Sequence, residues 1–228
     1  MSCSFCQEMH NNNRGLFEKL IRPLIGVDSR IVDASKKWKL MPTIGSFVPG
    51  YFLLVTKRHV LSVGHCSDIE LEEVNQLIDQ LVTSLSALYN CPCVVFEHGC
   101  YNNYNRGGCC VDHAHIHILP FDGDIIANID GNLNVEVVND IGASRDYILD
   151  GKSYIYVQDN KLVRYIVSGK IIPSQYIRQI IACQLGIPDK WDWRLHYGEE
   201  NMKRSLLDME RLSFRTGVFD INEEGGNE

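Results

Sequence analysis

The stretch His113-Ala-His115-Ile-His117-Ile-Leu-Pro120 decides how this chain reads. On a strand, alternate residues share a face. His113, His115 and His117 therefore line one side, and Ala114, Ile116 and Ile118 are left to pack into a core on the other. The chain has eight histidines, so three on one strand face point to chemistry rather than chance. Two chemistries compete. Alternating histidines can hold a catalytic zinc with an open position for water. Alternatively, one imidazole is a nucleophile and its neighbours orient and assist it. An imidazole is unprotonated near neutral pH and attacks phosphorus well, and water can release the phosphoramidate that forms.

Working outward, residues 99–108 combine Gly99, three asparagines, Arg106, Gly107 and Gly108, which predicts a loop ahead of the histidine strand. Cys93-Val-Val-Phe96 reads as a strand. The strongest helix starts at Ser67, where Ser67 and Glu70 have capping-box spacing. Ile69, Val74, Leu77, Ile78, Leu81, Val82, Leu85 and Leu88 give it one apolar face up to Asn90-Cys91-Pro92. Tyr51-Phe-Leu-Leu-Val55 is the clearest strand of a broken β region, and Leu16, Phe17, Leu20, Ile21 and Leu24 predict a short amphipathic helix before it.

The composition shifts after about Gly123. Asn132 to Val138 reads as a strand, and Ser153 to Val167 as a hairpin turning at Asp159-Asn160. Helices are predicted from Pro173 to Leu185, ending at Gly186, and from about Glu199 to Leu212. Trp191 and Trp193 stand between them as an apolar anchor or as an aromatic wall over a substrate.

Composition narrows the class. With 45% hydrophobic and 22% charged residues in 228, the chain is a folding globular protein. A net charge of −7 argues against phosphate-backbone binding, so no nucleic-acid partner is expected. No apolar run is long enough to span a bilayer, so no membrane partner is expected either. Nine cysteines, an odd number behind an N-terminus without a basic-then-apolar signal, point to a reduced, cytoplasmic protein with thiols free or on metal.

The histidine segment resembles the signature of the histidine triad (HIT) family, His-x-His-x-His followed by apolar residues. Val48-Pro-Gly-Tyr-Phe-Leu-Leu-Val-Thr-Lys-Arg-His59 is similar to the family's Gly-His-x-Leu-Val-x-Pro-Lys-x-His strand, with the same Gly50-to-His59 spacing. The helix, strand, glycine loop and triad strand follow in the family's order, over roughly residues 1–123.

The resemblance implies that His115 is the nucleophile toward the α-phosphorus of a nucleotide, that His117 contacts phosphate oxygens, and that backbone N–H groups of the glycine loop around Gly108 offset the developing charge. A last histidine, where transferase and phosphorylase branches carry Gln, favours hydrolysis. Zinc-bearing bacterial members look similar at the N-terminus. In them a Cys-x-x-Cys pair joins the His closing the Lys-x-His motif and the first triad histidine. Carried over, a structural zinc sits on Cys3, Cys6, His59 and His113. The bare residues leave His10 and His65 as other possible ligands.

The chain also departs from the pattern. The family's acidic ribose-binding residue corresponds to Thr43, the usual His after the glycine is Tyr51, and Cys110 stands where a hydroxyl residue often assists the leaving group. Arg106 is either a phosphate partner or an ordinary loop charge. Glu97 and His98 either reach the substrate or sit at a solvated strand end.

The expectation is an α+β chain with a HIT-like, mostly antiparallel sheet and packed helices at 1–123, plus an α/β C-terminal extension at 124–228. The expected function is a nucleotidyl hydrolase with a nucleotide-type small-molecule substrate, which by the resemblance forms a homodimer. The alternatives are a nucleotidyl transferase or phosphorylase, a zinc-stabilised nucleotide-binding module, and a metallohydrolase holding metal on all three triad histidines.

Overall fold

The computed structural model describes residues 3–10, 17–102 and 113–212. Helix α1 (Ser4–Met9) comes first, then a π-helical turn (Phe17–Ile21) running into α2 (Arg22–Ile25). Strands β1 (Val32–Asp33), β2 (Trp38–Pro42) and β3 (Phe52–Thr56) precede the long helix α3 (Asp68–Tyr89). Next are β4 (Cys93–Gly99) and β5 (His115–Pro120), then β6 (Asn134–Val138) and α4 (Ser144–Leu149). The hairpin strands β7 (Tyr154–Gln158) and β8 (Arg164–Ser168) lead to α5 (Tyr176–Gln184) and α6 (Glu199–Met209).

Among the described residues eight strands form one sheet in the order β1-β2-β3-β5-β4-β7-β8-β6, and every pairing is antiparallel. The histidine strand lies inside it, between β3 and β4. His115 faces Val55 and His117 faces Leu53 on one side, and His117 faces Phe96 on the other. Strand β7 pairs with β4 from Val95↔Gln158 to Gly99↔Tyr154, so the sheet runs without a break across residues 123 and 124.

Strand alternation divides the core. Helix α3 covers one face, packing Leu71, Val74, Leu77, Ile78, Leu81 and Leu85 against Leu54, Val95, Ile116 and Ile118. Its start is as expected. Ser67 accepts from the Glu70 N–H, the Glu70 carboxylate accepts from the Ser67 N–H, and an Arg58 ion pair holds that carboxyl down at about 2. Ile69 departs from the expected apolar face and is exposed, because at about 100° per residue it points well away from the stripe of Val74, Leu77, Ile78 and Leu81.

On the other face α5 packs Ile177, Ile180 and Ile181 against Val94, Phe96, Ile155 and Val157. Phe5 of α1 packs there against Met41, Leu53 and Val55. The amphipathic segment near residue 20 also differs from expectation. Pro23 opens α2, the preceding turn is π-helical, and the buried stripe is Phe17, Ile21 and Ile25, leaving Leu20 and Leu24 exposed.

Candidate active site and metal cluster

The three histidines of the triad stretch are all buried, yet each ring faces a different partner. The His113 Nε2–H donates to the Thr56 carbonyl at 2.8 Å, which leaves Nδ1 as its lone-pair nitrogen. The His115 Nδ1–H donates to the His113 carbonyl at 2.6 Å, which leaves Nε2 unprotonated. For His117 the order reverses. Arg178 Nη1 donates to the Tyr51 hydroxyl oxygen at 3.1 Å, and the Tyr51 hydroxyl turns its own proton to His117 Nδ1 at 2.9 Å. A neutral His117 then carries its proton on Nε2 as a donor. These tautomers follow from the partner of each ring nitrogen.

Burial keeps all three rings neutral. It lowers His113 to about 4 and also lowers His115, where the bond to the His113 carbonyl partly offsets it. His117 is lowered well below its ordinary value, by burial and then by the nearby His115, Arg178 and His98. Phe96 stacks on His117 with ring centroids 4.3 Å apart, which fixes the plane of that ring.

Cys3, Cys6, His59 and His113 bring their ligand atoms within 4.8 Å of one another. His113 Nδ1 lies 3.3 Å from Cys3 Sγ, 3.5 Å from Cys6 Sγ and 3.2 Å from His59 Nδ1, and Cys6 Sγ lies 3.5 Å from His59 Nδ1. Two thiols and two imidazole lone pairs converging on one point fit a metal ion. Cys3 and Cys6 lie at the start of α1, His59 just beyond β3 and His113 just before β5, so an ion there would join the N-terminus to the sheet. Neither His115 nor His117 belongs to the cluster, which counts against a metal held by all three triad histidines. His65 bonds the Ser62 hydroxyl instead of joining it.

A cavity of ≈ 60 Å³ lies against His115 and His117, walled by Phe5 and Glu8 of α1, Arg30, Thr43, Arg178 and Trp193. Thr43 thus lies at the same hollow as the two histidines. The Phe5 ring lies tilted against the His115 ring, with centroids 5.3 Å apart. Glu8 is held by Arg30 through two bonds of 2.8 Å. Arg106, Gly108 and Cys110, expected at the substrate, lie outside the described residues.

Glu97 and His98 are not at a solvated strand end. Both are buried, on opposite faces of β4. Glu97 accepts from the Val63 N–H and the Tyr154 hydroxyl, each at 2.6 Å, and burial raises its carboxyl to about 7. His98 is pushed down to about 3 by burial and accepts from the Ile177 N–H at 3.4 Å. Of the tryptophans, Trp191 packs beside α5, and Trp193 walls the cavity. Gly45 has φ +82°, and a Cβ there would lie 2.4 Å from the Trp193 Cβ, so only glycine allows this approach.

Arg178 was not legible as a site residue. The available signal is a charge within the apolar stripe of α5, where Ile177, Ile180 and Ile181 are buried around it.

Residues 26–124 match the HIT domain. No curated protein matches the sequence. Among solved structures, the chain is similar to a Hit-like protein involved in cell-cycle regulation from Bartonella henselae. Identity is 20%, coverage is 47% of this chain and 80% of that one, and the TM-score is 0.36. It is also similar to a histidine triad nucleotide-binding protein from Sulfolobus tokodaii (15% identity, 54% and 71% coverage, TM-score 0.39). A third is the yeast Ap4A phosphorylase in complex with AMP (17% identity, 68% and 70% coverage, TM-score 0.40).

Proposed function

We propose that this chain, which carries a HIT domain over residues 26–124, is a nucleotidyl hydrolase that works through a covalent adduct on His115. The observation that carries the reading is the tautomer of His115. Its Nδ1 proton is given to the His113 carbonyl, which leaves the lone pair on Nε2 of a ring that lines the cavity. In the first step that lone pair attacks the α-phosphorus of a nucleotide conjugate. The N–P bond forms, the bond to the leaving oxygen breaks with its electron pair, and the leaving group gains a proton. The His117 Nε2–H donates to a phosphoryl oxygen as charge builds there. Water then attacks phosphorus, the N–P bond breaks, and the nucleoside monophosphate departs with the imidazole restored.

The metal in this reading is a structural zinc on Cys3, Cys6, His59 and His113. A tetrahedral zinc spaces two nitrogens by about 3.4 Å and a nitrogen and a sulfur by about 3.6 Å. The observed 3.2 Å and 3.3–3.5 Å are close to both. All four positions are filled by protein, so the ion supplies no water to the reaction. The proposed setting is the reduced cytoplasm, and the proposed assembly is a homodimer.

The test is a rapid quench with an α-³²P-labelled conjugate. Wild type should show label on protein that is acid-labile and base-stable, and His115→Ala should lose turnover by at least about a thousandfold while keeping fold and metal. Near-normal turnover by His115→Ala would falsify the assignment. Added inorganic phosphate separates the phosphorylase alternative, because a phosphorylase releases nucleoside diphosphate where a hydrolase still releases monophosphate.

A further inference from the structure

We propose that Arg178, supplied by the C-terminal half of the chain, is a substrate-binding residue whose guanidinium is the counter-charge for a phosphate group seated beside His115 and His117. The identity of the ligand rests on the hydrolase reading, while the binding itself does not require turnover.

Arg178 is 2% exposed and lines the same cavity as the two histidines. Its Nε donates to the Trp191 carbonyl at 2.9 Å, Nη2 to the Gly45 carbonyl at 2.8 Å and Nη1 to the Tyr51 hydroxyl at 3.1 Å. The guanidinium also lies 4.3 Å over the Phe47 ring, so its plane is fixed. All three acceptors are neutral oxygens. Among the described residues no carboxylate is paired with it. The acids nearby are already engaged, Glu8 by Arg30 and Asp192 by Arg194.

A buried cation with no anion is among the least favourable arrangements a core can hold. Proteins keep one where a ligand brings the missing charge. Arginine has five N–H donors, and three are used here, which leaves one on each terminal nitrogen for a planar two-pronged grip. The other walls select the anion. His117 offers an Nε2–H donor, and His115 aims a lone pair that an electron-poor phosphorus accepts and a carboxylate would repel. The cavity is small, ≈ 60 Å³, which suits a compact anion such as phosphate.

The decisive measurement is inorganic phosphate binding to the metal-loaded full chain by titration calorimetry, on wild type and on Arg178→Gln and Arg178→Lys. The glutamine variant, while still folded, should bind phosphate at least tenfold more weakly, with lysine in between. A folded glutamine variant with unchanged phosphate affinity would show that Arg178 is only an anchor for α5 and would overturn the proposal. If the glutamine variant does not fold, NMR of ¹⁵N-arginine-labelled wild type replaces it. There the Arg178 Nε–H resonance should move on adding phosphate and stay still with chloride at matched ionic strength, and an unmoved resonance overturns the proposal. Phosphate bound through Arg178 in a chain that never releases a monophosphate would leave this proposal standing and remove the hydrolase reading. Monophosphate release with no loss of phosphate binding in Arg178→Gln would do the reverse.

Discussion

Glu97 stands one strand away from the triad histidines, on the α3 face of the sheet, with its carboxyl raised by burial to about 7 from an ordinary 4.5. Between those two pH values the folded chain holds a proton that the unfolded chain has released. The Glu97 contribution to stability therefore falls as pH rises from about 4.5 to about 7, then levels off. Glu97→Gln cannot titrate, and its amide can keep bonds to Val63 and Tyr154. The stability difference between wild type and variant should shift by about 3 kcal/mol across that window. Urea unfolding at pH 4.5 and 7.5 measures it, and parallel pH courses for the two proteins would sink the idea. Single residues were legible where the rule is local. His115 and His117 share a face because a strand repeats every two residues, and that needs no knowledge of the fold. Arg178 reaches the same cavity only because α5 folds back over β4, some 60 residues further on from the triad, and no local pattern carries that information.

Among the elements, α1 and α3 form for opposite reasons. Helix α3 is long, capped and amphipathic, and its boundaries were readable from Ser67, Glu70 and the leucine spacing. Ser67→Ala should lower stability by about 1 kcal/mol, seen as a lower melting temperature. No change would mean that Arg58 alone fixes Glu70. Helix α1 has six residues, too few to persist by itself in water. What holds it is the ligand cluster, the Glu8–Arg30 pair and Phe5 against the sheet. Metal analysis of Cys3→Ser/Cys6→Ser should show loss of about one ion per chain together with a lower melting temperature. Hydrogen exchange should at the same time speed up over residues 3–10. Retained metal would remove the cluster from consideration. Strands β1 and β2 were the elements hardest to read. They fall in the stretch read only as a broken β region, and β2 is a strand because Trp38, Leu40 and Met41 are buried between β1 and β3.

At the scale of the molecule, the sheet order matters most. Strand β7 closes the outer edge of β4, and α5 covers the strand face that carries the histidines. Limited trypsin digestion should therefore spare residues 124–212 despite their many lysines and arginines, and early cleavage back to about residue 123 would contradict the pairing. The change of composition near Gly123 was readable, whereas the crossing of the sheet over it was not, because strand partners are set by topology rather than by neighbours in sequence. The same order leaves two edges in the sheet. One is β1, two residues long, and the other is β6, where Val135 and Val137 are exposed. It also sets a timetable for synthesis. Tyr154 follows its partner Gly99 by 55 residues, so β4 is made well before the strand that covers its edge. At about 5–20 residues per second, the ribosome leaves the Val94-Val95-Phe96 edge unpaired for roughly 3–11 seconds. An open apolar edge of that kind captures other chains. On crowded polysomes, the interval before the β7–β8 hairpin emerges is when a nascent chain is most exposed to its neighbours, and a pause in translation between residues 100 and 154 lengthens that interval.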